Sequence, residues 1–160
     1  MTSRRDFLKV GLGGSLLLGL GGCAGSPEEG RRDVLAALIP VLLDGALPDK
    51  AEPRAKAIQA TLAGVEQAMA GLPPATQRDL DRLFALLSLT PTRIALAGVW
   101  PDWSLALPRE IQEFLERWRH SRFELFRTAY AALHDLILGT WYAQPDAWPA
   151  IGYPGPPRLH

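Results

Sequence analysis

Few residues in this chain have types and spacings that could do chemistry. His120 stands four residues from Glu116 and four from Glu124. On one helix the three would share a stripe, an arrangement that can bring an imidazole and two carboxylates to a metal. Arg117, Arg119, Arg122 and Arg127 crowd the same stretch. The expectation is therefore a surface ion-pair lattice. His134 and Asp135 are adjacent. Neighbours on a helix point in different directions, so no catalytic dyad is expected there. His160 is the last residue, and Ser88, Ser104 and Ser121 lie in no G-x-S-x-G setting. No G-x-G-x-x-G follows a predicted strand, and no P-loop or metal-ligand cluster is present. The expectation is a chain with no catalytic, cofactor-binding or metal-binding residues of its own.

Composition narrows the classes further. The 160 residues carry 17 basic and 17 acidic side chains, with 48% apolar and 21% charged residues. That suits one modest domain, neither a disordered polyelectrolyte nor a multi-pass membrane protein. The single cysteine, Cys23, excludes an internal disulfide, a Cys-rich zinc module and a Cys-ligated iron–sulfur cluster. Zero formal charge argues against nucleic-acid binding, which calls for a basic excess.

The N-terminal region reads as an address. Ser3-Arg4-Arg5-Asp6-Phe7-Leu8-Lys9 resembles the twin-arginine (Tat) export motif, with Arg4, Arg5, Phe7 and Leu8 at its defining positions. The apolar stretch that follows, Val10 to Leu20, has 11 residues, against about 20 for a spanning helix. It therefore reads as a removable signal peptide. Leu20-Gly21-Gly22-Cys23 resembles a lipobox, in which Cys23 is acylated and becomes the new N-terminus. The alternative is ordinary cleavage nearby, leaving a free thiol. By resemblance to Gram-negative lipoprotein sorting rules, Ala24 rather than Asp after the cysteine leans toward the outer membrane. The expected organisation is a signal peptide over 1–22, a lipidated tether over 23–30, a helical domain over 31–144 and an irregular tail over 145–160. Cleavage before Cys23 removes Arg4, Arg5, Lys9 and Asp6, leaving 14 basic and 16 acidic residues, a net charge of −2.

The elements that would position any site are helices. Val34, Leu35, Leu38, Ile39 and Leu42 recur at helical spacing from Arg31, with Pro40 expected to kink or split the helix. A second helix is predicted from about Glu52 to Met69, with Pro53 in its first turn. A third begins near Thr76, read as an N-cap, with Asp79 three residues on imitating a capping box. A short helix follows from Thr92 to Val99. Trp100-Pro101-Asp102-Trp103 is a turn. The longest stretch runs from Arg109 to about Tyr142, with a bend near His120-Ser121 where the apolar stripe is interrupted. No segment alternates with period two. The fold class is an all-α bundle of four to six helices.

The tail holds Trp141, Tyr142, Trp148, Ile151 and Tyr153 among prolines and glycines. So many aromatics are expected to pack on the bundle or on a partner. With the Tat leader and the helical domain, the pattern WY-x-x-P-x-x-W-x-x-IGYPGPP resembles the gluconate 2-dehydrogenase subunit 3 family. These are small accessory subunits of membrane-associated flavin dehydrogenases of the glucose–methanol–choline (GMC) type. The resemblance rests on Ser3 to Lys9, on Trp141, Tyr142, Pro145 and Trp148, and on Gly152 to Pro156; the middle matches only as a helical pattern. It implies a non-catalytic periplasmic subunit that supplies the Tat signal to a signal-less flavoprotein large subunit, stabilises it and holds it at the membrane. FAD would sit in that partner, and a cytochrome subunit or quinone would take its electrons. Tat carries folded cargo, which fits a cofactor-loaded partner. The other reading is a stand-alone periplasmic lipoprotein with a scaffold or binding role.

Overall fold

The computed structural model describes residues 26–155. Its first helix starts on a reciprocal cap. The Ser26 hydroxyl accepts from the Glu29 amide at 3.2 Å, and the Glu29 carboxylate accepts the Ser26 amide at 2.7 Å. Pro27 fits the first helical position, and Glu28 and Glu29 oppose the positive helix end. Helix α1 therefore spans Pro27–Leu42. The expected tether over 23–30 is too long: its last four residues are helix, because the Ser-x-x-Glu cap lies inside the stretch that composition marks as polar spacer. Pro40 neither splits α1 nor starts a new helix; α1 runs through it and closes two residues later.

Helix α2 spans Ala51–Ala70 and buries Leu62, Val65 and Met69. Helix α3 spans Pro74–Ser88. It begins two residues before the expected cap at Thr76, because Pro74 is already pre-set for a first helical position. Nor does a side chain cap it. Instead the Gln77 amide donates to the carbonyls of Ala70 and Leu72, tying the start of α3 to the end of α2. A short helix α4, Thr90–Thr92, continues as a wider π-helical turn over Arg93–Ala97 and stops at Gly98 in the left-handed region (φ 64°).

The predicted long helix is two helices, α5 over Pro108–Arg119 and α6 over Glu124–Tyr142. The expected bend at His120-Ser121 is a full break. The His120 amide closes α5 on Glu116, and the Ser121 hydroxyl accepts from the Phe123 amide at 3.2 Å. The residues Arg119 to Arg122 offer nothing apolar to bury, so no packing energy holds a helix through them. Six helices and no strand among the described residues make the fold an all-α bundle.

Helix α1 is the hub and touches α2, α3, α5 and α6. That follows from its sequence: Val34, Leu35, Leu38 and Ile39 cover more than one face and are all fully buried. Around them pack Phe84, Leu87, Phe114, Leu133 and Ile137. Helix directions follow from side-chain partners. Arg32, near the start of α1, pairs with Glu66, near the end of α2, so these two are antiparallel. Gly64 faces Thr140 near the end of α6. At the other end, Pro40 to Asp44 share a crevice with Arg54, Glu116, Tyr130 and His134. Helix α6 thus runs parallel to α2 and antiparallel to α1. No helix among the described residues is long and apolar enough to cross a membrane.

Candidate functional site

The C-terminal segment is built by two single-turn 3-10 helices, Pro145–Ala147 and Pro149–Ile151, either side of Trp148. Both open on a proline, which fixes φ and needs no donor. Ala147 is fully buried and anchors the segment to the domain. The Trp148 indole N–H donates to the Tyr142 carbonyl at 3.0 Å. The Trp148 carbonyl accepts the Tyr153 amide at 3.0 Å, across a left-handed Gly152 (φ 68°). The two rings then meet edge-on, centroids 5.4 Å apart and planes at 77°. Gly155 (φ 95°) lies against the same indole, where a Cβ would stand 3.0 Å from Cζ3. Up to Gly155, the expected irregular tail is thus a folded turn around Trp148, closed by residues of the sequence pattern.

The four aromatics singled out in the sequence divide. Trp141 is 3% exposed and belongs to the core; its indole N–H has no protein partner. It is not available to a partner protein. Tyr142 and Tyr153 are exposed and Trp148 is half-buried, so these three form one surface. Arg4, Arg5, Phe7, Leu8 and Cys23 lie outside the described residues.

The chemistry-bearing residues are placed as follows. His120 Nε2 lies 3.1 Å from Glu116. Glu124 is not on that stripe, because the helix break puts it at the start of α6. His134 and Asp135 do touch, Nδ1 to Oδ1 at 3.0 Å, although adjacent helical positions predict divergence. Among the described residues, no group of three or more His, Cys, Asp or Glu side chains is gathered as a metal ion requires.

The arginine lattice expected around His120 is mostly something else. Arg119 pairs with Glu116 at 3.4 Å. Arg117 donates to the Ala97 carbonyl at 2.7 Å and Arg127 to the Ser121 carbonyl at 2.8 Å. Arg122 stacks over the Phe123 ring at 4.7 Å. Sequence reasoning also missed Arg93, which is 3% exposed. It donates to the carbonyls of Val99 and Trp100, both at 3.3 Å, and pairs with Asp102 at 2.9 Å. These contacts fold the 98–107 loop so that Trp103 is buried, donating to the Leu87 carbonyl, while Trp100 stands 73% exposed.

No known family model matches the chain, and comparisons with characterised proteins and with solved structures find no match.

Proposed function

We propose that this chain is a non-catalytic accessory subunit of a periplasmic, membrane-associated FAD-dependent dehydrogenase of the GMC type. It would provide the Tat signal, stabilise the large subunit and tether it through a lipid on Cys23. The observation that carries the reading is the joint occurrence of the Ser3–Lys9 motif, the Cys23 lipobox and the aromatic C-terminal pattern in one short chain. The folded turn around Trp148 supports it: Tyr142, Trp148, Tyr153 and Gly155, spaced over 14 residues, act as one structural unit. FAD belongs to the partner in this account, and a cytochrome subunit or quinone accepts its electrons.

The test is export. Arg4→Lys combined with Arg5→Lys removes the paired guanidinium groups the Tat receptor reads while keeping their charge. The reading expects both this chain and a flavoprotein lacking its own leader to be stranded in the cytoplasm. Export of the flavoprotein at its normal level would contradict it.

A further inference from the structure

We propose that the end of the bundle formed by Trp100 and the α5–α6 turn docks the acidic, partly apolar surface of a partner protein. The inference rests on the lipid-anchored accessory-subunit reading above and names the surface that reading leaves open. Three large apolar side chains are exposed here: Trp100 by 73%, Phe123 by 53% and Leu125 by 74%. The Phe123 ring and the Trp100 backbone are held from below. Trp118 donates to the Leu96 carbonyl at 3.0 Å and packs on Phe126 (centroids 5.2 Å apart), which meets Phe123 edge-on at 6.1 Å. Arg117 reaches across to Ala97 and lies so close to Gly98 that a side chain there would collide with it. Arg93 holds Trp100 by its carbonyl. Aromatic groups carried on a held backbone lose little backbone freedom when a partner covers them.

Charge states what the partner is. Arg117, Arg119, Arg122 and Arg127 gather at this end, against Glu116 and Glu124. Glu116 is already shared by Arg119 and His120. Arg117, Arg122 and Arg127 have no carboxylate partner among the described residues: their contacts are two backbone carbonyls and a phenyl ring. A local positive surface therefore sits on a chain that carries −2 once the leader is gone. Arginine with exposed Trp and Phe is the composition of interface centres, and it calls for carboxylates opposite.

An anionic bilayer would also attract such a patch, but the anchor lies at the opposite end of α6 from the α5–α6 turn. The cap of helix α1, Ser26, is three residues after Cys23, a span of at most about 11 Å. The lipid thus holds the start of α1 near the headgroups. Helix α6 runs antiparallel to α1, and the α5–α6 turn precedes α6. Its 19 residues set that turn about 28 Å from the end of α6 that lies beside the start of α1. The α5–α6 turn with Phe123 and Leu125 is thus set far from the anchored end.

The test uses the full chain expressed from its native locus. A photo-crosslinking residue replaces Phe123 in one strain and Tyr153 in another, and a third strain carries Arg122→Glu with Arg127→Glu. The expected result is a flavoprotein adduct at position 123. The double charge reversal should cut flavoprotein recovery by about tenfold, as should raised salt in the wild type. Lys50→Glu with Lys56→Glu, at the start of α2, should leave recovery unchanged. Unchanged recovery with the double arginine reversal, or adducts at position 153 alone, overturns this surface without touching the accessory-subunit reading. Adducts at position 123 to phosphatidylglycerol-rich membrane instead of protein also overturn it. A wild-type eluate with no flavoprotein overturns the accessory-subunit reading first, and this surface with it.

Discussion

Arg93 and Asp102 form an ion pair of unequal members, 2.9 Å apart, with side chains 4% and 70% exposed. The buried guanidinium ties the π-helical turn to the loop that carries Trp100 and Trp103. Asp102→Asn should therefore cost about 1–2 kcal/mol, less than for a fully buried pair because water reaches the carboxylate. Arg93→Leu should cost more, since it strips the donors from two carbonyls as well. Denaturant unfolding of both variants checks the order. Equal, negligible losses would show that the pair does not hold the loop.

Trp118 stitches α5 to the segment before the loop. Trp118→Phe keeps an aromatic ring against Phe114 and Phe126 but removes the donor to Leu96. Its expected cost is about 1 kcal/mol from the lost hydrogen bond. Trp118→Ala also opens a cavity in a site 4% exposed, for a cost of about 3–5 kcal/mol. Thermal unfolding of the pair separates the two contributions.

Much of this architecture was legible in the sequence, and the limits have physical causes. Leu80, Phe84 and Leu87 repeat at helical spacing and bury as that spacing requires. The Ser26–Glu29 cap is hidden in a polar run with glycine and proline that has the composition of a tether, while a cap depends on positions. The break after α5 was visible as a gap in the apolar stripe, but a gap alone does not distinguish a bend from a turn. Trp100 and Trp103 look alike in sequence; only the Arg93 contacts decide that one is buried and the other exposed. An arginine so fully buried gives no periodic signal at all. The tail aromatics stand out in the sequence, yet Trp141 belongs to the core because it continues the stripe of Leu133 and Ile137.

Close approach of two helices makes a further prediction at Gly30. A Cβ there would stand 2.7 Å from the Ser88 hydroxyl oxygen. Gly30→Val should separate α1 from α3, with an expected loss of about 1–3 kcal/mol. Gly30→Val with Ser88→Gly should recover much of it. A double-mutant cycle in urea measures the coupling.

Acid should weaken the α1–α2 contact. The Arg32 guanidinium hydrogen-bonds the Glu66 carboxylate at 2.7 and 3.1 Å and holds its pKa below the usual carboxylate value. The folded pKa is depressed, so the unfolded chain takes up the proton first as pH falls. The contribution is present above the ordinary glutamate pKa and is lost as pH drops through the folded value. Glu66→Gln should lower Tm slightly at neutral pH, and the difference from wild type should vanish in strong acid. A difference that persists unchanged at low pH would assign the loss to packing instead.

At the tail, Gly155→Ala meets two obstacles, a positive φ and the Trp148 ring 3.0 Å away. The variant should leave the bundle folded, because the core lies elsewhere, and should release the turn around Trp148. Faster proteolysis after residue 145 with unchanged helical circular dichroism is the expected pair of results.

The most direct measurement for the central claim is purification of the tagged full chain from its native locus in mild detergent, with an absorbance scan of the eluate. The account predicts a large protein without a leader of its own, co-eluting with a flavin spectrum. A colourless eluate with no dehydrogenase, repeated after crosslinking, would contradict it and favour the stand-alone lipoprotein.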